Sequence, residues 1–212
     1  MALPLDLSRP ISELLLPDDV ILASRQLLGG IDLAPHASTS ANVLLNAKRH
    51  YTPEDETALD VKWTGRVLLT PPSRQPRHSQ YVTKLIKHHT NGDVPQAVIV
   101  SNIPELMRLM PEILDFPFCI PYRRLRYRWL DPNNELRVIS PSSWNVIFYL
   151  PPCGSIGALA DATCRFAETF SSVGRCIADS GVSIDWRRAY ERCTLRASRN
   201  LLETAVALTQ RR

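Results

Sequence analysis

The 212-residue sequence lacks long apolar runs, cysteines in CxxC spacing and a basic leader ahead of its first short apolar patch. A membrane-spanning helix needs about 20 consecutive apolar residues, so we expect none, and the N-terminus does not have the pattern of a signal peptide. The five cysteines are odd in number and scattered, which favours reduced thiols over a disulfide framework or a zinc site. The sequence therefore predicts a cytoplasmic protein.

Several motifs that would identify an enzyme directly are also missing. No G-x-S-x-G turn surrounds Ser73, which argues against a serine-hydrolase nucleophile. His36 and the pair His88 and His89 have no partners at metal-ligand spacing, so we expect surface or capping roles for them and no metal site. There is no glycine-rich loop of the FxGxG kind. The net charge of +4 and the pI near 8.9 allow an anionic partner without requiring one.

What the sequence does contain is an alternation of helix-like and strand-like segments. Apolar spacing predicts helices near residues 20–28, 38–49, 79–89 and 103–114, and short apolar runs predict buried strands near 31–34, 66–69 and 97–100. Strands that alternate with helices are typical of α/β proteins with a parallel sheet. We therefore predict an α/β fold for residues 1–152.

The segment YRRLRYRWL, residues 122–130, alternates between basic and apolar side chains. It places Arg124, Arg126 and Arg128 on one face, and together with the apolar run at 144–150 it predicts an antiparallel strand pair at the sheet edge. Two interpretations of the arginine face remain open. It is either a solvated edge strand, where charge discourages edge pairing, or a phosphate-binding surface.

A boundary is expected at Pro151-Pro152-Cys153-Gly154, after which the sequence shows only helical patterns. We therefore predict an α/β domain over residues 1–152 and an α-helical extension over residues 153–212. The extension is expected to form a helical hairpin that packs on the first domain, on a second copy of the chain or on another protein.

The stretch GRVLLTPPSRQ, residues 65–75, breaks a buried strand with two prolines. A strand that ends in this way places the following turn at the carboxyl edge of the sheet, where open α/β folds bind ligands. Proline rings stiffen the turn and leave carbonyl oxygens without a helix partner. Such oxygens accept hydrogen bonds from an exocyclic amine, as in enzymes that act on a flipped-out base.

Residues 15 to 152 resemble the phage-type, Dam-like family of DNA N6-adenine methyltransferases. The resemblance is carried by LLGGIDLAPHASTSAN, AKRHYTPEDETALDVKWTGRVLLTPPS, AVIVSNIPELMRLM and CIPYRRLRYRWLDPNNELRVISPSSWNVIFYL, in the order expected of that family. It implies a Rossmann-like methyltransferase sheet, mostly parallel with an antiparallel edge. It also implies S-adenosylmethionine as cofactor, DNA as partner and the cytoplasm of a bacterial or phage-infected cell as location.

The resemblance implies roles for individual residues as well. The catalytic turn would be Thr70, Pro71, Pro72 and Ser73; the donor-binding residues Asp32, Ala34, Asn42 and Asp55; and the DNA-contacting residues Arg74, Arg77, Arg124, Arg126 and Arg128.

Two departures from the family pattern fall on these residues. The family's NPPY appears here as Thr70-Pro71-Pro72-Ser73, and the acid expected before proline in IDLDP is Ala34, although Asp32 remains. The expected amide and the aromatic ring that stacks on the base are therefore replaced by two short hydroxyl side chains. The sequence predicts a DNA-directed pseudoenzyme whose methyl transfer is impaired or lost. The alternatives are an active adenine methyltransferase and a non-enzymatic assembly protein on the same fold.

Overall fold

The computed structural model describes residues 15–72, 75–102, 106, 110–130, 136–141, 143–154 and 156–177. The helices are α1 (Asp18–Leu28), α2 (Thr39–Leu45), α3 (Arg77–Thr90) and α4 (Ile156–Phe170), and short 3₁₀ turns lie at Glu56–Leu59 and Pro111–Asp115. The strands are β1 (Leu33–Ala34), β2 (Arg49–His50), β3 (Val67–Leu69), β4 (Ala97–Asn102), β5 (Phe118–Pro121), β6 (Tyr127–Leu130), β7 (Leu136–Ile139), β8 (Asn145–Leu150) and β9 (Gly174–Ile177).

Seven of these strands form one sheet in the order β2-β1-β3-β4-β8-β5-β9. Strands β2, β1, β3 and β4 are parallel neighbours, whereas β8 is antiparallel to both β4 and β5, and β9 is antiparallel to β5. Five strands therefore run in one direction and two in the other. The predicted α/β fold with a mostly parallel sheet is confirmed. Within the described residues, no helix is long and apolar enough to cross a membrane.

Alternate residues of the strands point into two separate hydrophobic cores. Leu68, Val98 and Tyr149 belong to the core beneath α1, α2 and α4. Val67 and Ile99 belong to the core beneath α3. A sheet whose strands are buried on both faces explains why β3 and β4 read as continuous apolar runs in the sequence.

The prediction that segments 122–130 and 144–150 pair with each other at the sheet edge is wrong. Strand β6 pairs with β7 in a separate two-stranded sheet, and β8 lies inside the large sheet between β4 and β5. All six residues of β8 are buried, which is the pattern of a strand covered on both faces. The alternating segment before and within β6 has only one apolar face. A two-stranded ribbon can bury one face against the protein and leave the other face in solvent.

The prediction that the chain is purely helical after residue 155 is also wrong. Helix α4 is followed by β9, which pairs with β5 at the edge of the sheet. Phe166 of α4 stacks on Tyr149 of β8 at 5.4 Å between ring centroids, and a Cβ on Gly174 would lie 2.2 Å from the Ile120 carbonyl oxygen. Residues 156–177 therefore pack on the sheet. The part of the predicted helical hairpin from residue 178 onward lies outside the described residues.

Candidate functional site

The connections between strands change direction at β1 and β3. From β1 the chain continues through α2 to β2 on one side, and from β3 it continues through α3 to β4 on the other. Leu33 pairs directly with Val67, so the two strands are neighbours. In open α/β sheets this change of direction leaves a crevice beyond the carboxyl ends of the two strands, and ligands bind there. The segments that follow β1 and β3 are therefore the candidate site.

An ion pair at the opposite, amino-terminal edge holds β1 and β3 together. Arg66 donates to the Asp32 carboxylate from its backbone nitrogen at 3.0 Å, from Nε at 2.7 Å and from Nη2 at 3.1 Å. Its Nη1 also donates to the carbonyl of Leu28 at the end of α1, at 3.0 Å. Gly65 has φ of 82°, and a Cβ there would lie 2.7 Å from the Asp32 Cβ. The Gly-Arg pair before β3 therefore aligns two strands and a helix.

The predicted donor-binding residue Asp32 thus lies at the edge opposite to the crevice. Its carboxylate also contacts Lys48 Nζ at 2.8 Å. The Arg66 hydrogen bonds hold the pKa of Asp32 well below its usual range, although partial burial acts in the opposite direction. Each oxygen of this carboxylate already has a cationic partner, and the arrangement accounts for Asp32 without a cofactor.

The diproline turn lies at the crevice beside a buried histidine. His36, which follows β1, is 7% exposed, and its Nδ1 donates a hydrogen bond to the Thr70 carbonyl oxygen at 3.0 Å. The imidazole also makes an edge contact with Tyr81 of α3 at 5.4 Å between ring centroids. Pro71 is buried, while Thr70 and Pro72 are half-buried. His36 therefore links the segments that follow β1 and β3 at this edge of the sheet.

Burial keeps this imidazole neutral near pH 7. Desolvation lowers the pKa of His36, the hydrogen bond to Thr70 raises it, Arg77 lowers it and Glu54 raises it, with a net decrease. A neutral imidazole whose Nδ1 carries the proton presents Nε2 as an acceptor. Burial likewise raises the pKa of Tyr81, which remains a phenol. The crevice therefore offers uncharged hydrogen-bonding groups at its base and the charges of Arg77 and Glu54 nearby.

Further polar groups line the same edge of the sheet at β4 and β8. His78, in the first turn of α3, is 1% exposed and bonds to Ser101 of β4 at 2.7 Å between Nε2 and Oγ. Asn145 pairs with Asn102 across β8 and β4. The Asn145 Oδ1 atom is buried and has no hydrogen-bond partner among the described residues. Uncharged acceptors and donors therefore extend from the crevice toward β8.

The remaining predicted donor-binding residues have local structural roles. Ala34 is buried in the core beneath α1 and offers no polar side chain. Asn42 accepts from the Ala47 nitrogen at 3.0 Å and donates to the Ala47 oxygen at 3.3 Å, which closes the turn after α2. Asp55 accepts from the Thr52 nitrogen at 2.7 Å in another turn. Each of these residues is therefore either buried in a hydrophobic core or hydrogen-bonded within a local turn.

The predicted DNA-contacting arginines fall into two groups. Arg77, Arg124 and Arg126 are exposed, whereas Arg128 forms an ion pair with Asp18. Leu125 and Tyr127 are buried between them, so the predicted alternation is confirmed. Ser73 and Arg74 lie outside the described residues. No cluster of potential metal ligands is found in the part of the chain that the structure describes.

Sequence reasoning missed the importance of the histidines. His36 and His89 are buried rather than on the surface, and burial lowers the pKa of both. His88 pairs with Asp93 at 3.0 Å. A signal for His36 was present, because IDLAPHAS contains one residue more than the family's IDLDPAS and the additional residue is this histidine.

Comparison of the chain with protein-family models and with curated proteins gives no match. The functional argument accordingly depends on the motifs and on the geometry of the crevice.

Proposed function

We propose that this chain is a DNA-directed protein built on the scaffold of the phage-type N6-adenine methyltransferases, and that its S-adenosylmethionine-dependent methyl transfer is impaired or lost. The observation that carries the proposal is the position of Thr70, Pro71 and Pro72. They follow β3 at the crevice beside β1, and His36 Nδ1 donates a hydrogen bond to the Thr70 carbonyl oxygen. A diproline turn at this position supports an origin in a base-modifying site, whereas its chemical groups differ from those of the NPPY turn.

The chemical argument concerns the target amine. In an NPPY turn, the asparagine amide oxygen and a proline carbonyl hold the amine and direct its lone pair at the methyl donor. Thr70 has one hydroxyl in place of that amide and is too short to reproduce the geometry. Misplacing a reacting group by about 1 Å costs on the order of 100-fold in rate. Loss of an aromatic ring at position 73 removes about 1–3 kcal/mol of stacking on the base.

Support for a DNA partner comes from the arginines around the carboxyl edge. Arg77 begins α3 next to the crevice, and Arg124 and Arg126 follow β5 on the same edge; all three are exposed. Exposed cations neutralise phosphates and release counterions, which supplies most non-specific affinity for DNA. We expect duplex DNA binding whose logarithmic salt dependence has a slope of about −0.9 per phosphate contacted.

A restoration experiment tests the proposal. The double variant Thr70→Asn with Ser73→Tyr recreates the NPPY turn, and we expect it to transfer labelled methyl groups to unmethylated DNA faster than the wild-type protein does. Thr83→Asn, an exposed position of α3, is the matched control and should change nothing. Calorimetry with S-adenosylmethionine measures donor binding separately. A double variant that folds and binds the donor, yet transfers no more than wild type, contradicts the proposed origin of the site.

A further inference from the structure

An exposed patch of aromatic and basic residues lies at the carboxyl edge of the sheet, away from the diproline turn. We define the Tyr122–Trp144 patch as Tyr122, Arg123, Arg124, Arg126 and Trp144. Tyr122 is 65% exposed and Trp144 is 40% exposed. Both belong to the few large apolar side chains that the described surface leaves in solvent, and both adjoin strands of the central sheet.

The strand order places the two residues at the same edge of the sheet. Strand β5 pairs with β8 in an antiparallel fashion, as Phe118 with Phe148 and Cys119 with Ile147. Tyr122 directly follows the end of β5, and Trp144 directly precedes the start of β8. Both residues therefore lie at the carboxyl edge, at adjacent ends of neighbouring strands.

A cation already lies against one of the rings. The guanidinium carbon of Arg124 is 5.8 Å from the centroid of the Trp144 ring, within the range of a cation–π contact. Arg123 and Arg126 beside it are exposed. The structure gives none of these three arginines an ion pair with another described residue, in contrast to Arg128, which pairs with Asp18. The patch therefore combines two exposed rings with three positive charges.

We propose that the Tyr122–Trp144 patch is a stacking platform for unpaired bases of a single-stranded nucleic acid. Every base has a π face, so exposed rings bind bases without regard to sequence, while neighbouring arginines stack or contact phosphates. A groove for an apolar peptide would not require three exposed arginines, and paired bases of a duplex present no free faces to the rings. The platform shares with the proposed function the premise that the partner is a nucleic acid, but it requires no methyl transfer.

The location of the platform suits a strand that also reaches the crevice. Strands β3 and β8 are separated only by β4, and neighbouring strands are about 4.8 Å apart. The rings therefore lie on the order of 10–15 Å across the sheet from the diproline turn. Both sites occupy the carboxyl edge. A single nucleic-acid strand can therefore stack its bases on the platform and reach the crevice within a few nucleotides.

Fluorescence anisotropy with three labelled probes tests the platform: a short oligothymidylate, its ribonucleotide counterpart and a matched duplex. We expect the wild-type protein to bind a single strand more tightly than the duplex, and comparison of the two single strands distinguishes DNA from RNA. Trp144→Ala and Tyr122→Ala should each weaken single-strand binding by about 5–140-fold. Trp144→Phe, which keeps a ring, should retain most of the affinity.

Charge is tested separately with a matched pair of arginines. Arg124→Ala should reduce the slope of log affinity against log salt by about 0.7 for a single strand. Arg165→Ala removes an exposed arginine from α4 on the opposite face of the sheet and should leave that slope unchanged. Near-UV circular dichroism verifies that each variant is folded. Because Tyr122 is largely exposed, Tyr122→Ala should disturb the packing of the fold least among these variants.

The outcomes separate the platform from the proposed function. If the wild-type protein binds duplex DNA and neither Tyr122→Ala nor Trp144→Ala weakens single-strand binding, the platform is wrong and the proposed function stands. If the wild-type protein binds no polynucleotide, both are wrong. Capture of a single strand in a ring-dependent manner supports the platform even where no methyl transfer is observed.

Discussion

Replacement of Asp32 by asparagine distinguishes a structural carboxylate from a donor-binding one. Asn has the same shape but no charge, so Asp32→Asn leaves the Arg66 guanidinium beside a neutral amide. In the wild-type protein Arg66 makes three hydrogen bonds to this carboxylate, between 2.7 and 3.1 Å. We expect the variant to lose stability in the absence of any ligand.

The size of the loss follows from the burial of the pair. Hydrogen bonds to charged groups contribute about 1.5–3 kcal/mol each, without being additive, and removal of one partner of a fully buried pair costs about 3–5 kcal/mol. The side chains of Asp32 and Arg66 remain 20% and 27% exposed, so water partly screens the pair. We therefore expect the free energy of unfolding to fall by about 2–3 kcal/mol.

Urea denaturation near neutral pH measures this loss as a lower midpoint at unchanged slope. Lys48→Met removes the other cation, whose side chain is 73% exposed, and should cost at most about 1 kcal/mol. The pKa of Asp32 is lower in the folded chain than in the unfolded chain, where it is about 3.9. The stabilisation is therefore present above about pH 4 and declines as the pH falls further, so the difference between wild type and Asp32→Asn should narrow at about pH 3. Unchanged stability together with lost binding of S-adenosylmethionine would refute the structural assignment.

Three further predictions concern other parts of the same sheet. Gly65→Ala should destabilise the protein by about 1–3 kcal/mol more than Gly92→Ala, because both have positive φ but only the Cβ at residue 65 meets Asp32; equal losses in urea denaturation would contradict the close approach. Cys119 and Cys176 are cross-strand partners, and a hydrogen bond between the thiols, with burial, raises the pKa of Cys119, while the same bond lowers the pKa of Cys176. Alkylation followed by mass spectrometry should therefore modify Cys176 and spare Cys119 in the folded protein, and equal modification would be inconsistent with the pairing. Burial lowers the pKa of His36, so near pH 6.5 the unfolded chain binds a proton that the folded chain does not bind. The free energy of unfolding should therefore fall as the pH drops below about 6.5. His36→Asn keeps a donor toward the Thr70 carbonyl and should make this fall smaller; an equal fall in the variant would contradict a neutral imidazole in the folded protein.

The parts of the fold that could be predicted from the sequence are those with a strong local pattern. Strands β3 and β4 are buried on both faces and bounded by prolines or turn formers, and α1 ends at Gly29 in the left-handed region with φ of 66°. Their positions were predicted closely. Strands β2 and β9 contain two and four residues with mixed burial, and such short segments carry no periodicity that separates them from loops.

The order of strands in a sheet is not a local property, and for that reason β8 was misplaced. Its apolar run predicts a strand but not its neighbours, and β4 and β5 contact it from opposite sides. The site shows the same limit. The bond between His36 and Thr70 joins residues 34 positions apart, as does the ion pair between Asp32 and Arg66. A motif comparison indicates which residues depart from the pattern of a family, whereas their hydrogen-bond partners are known only from the folded structure.

The measurement that tests the central claim most directly is methyl transfer by the unaltered protein. Purified wild-type chain is incubated with labelled S-adenosylmethionine and unmethylated DNA, alongside Pro71→Ala, which alters the buried proline of the turn while leaving Thr70 and His36 in place. Because neither an amide nor an aromatic ring is available at positions 70 and 73, we predict transfer to adenine at or near background for both proteins. Rapid transfer by the wild-type chain that Pro71→Ala abolishes would contradict the account.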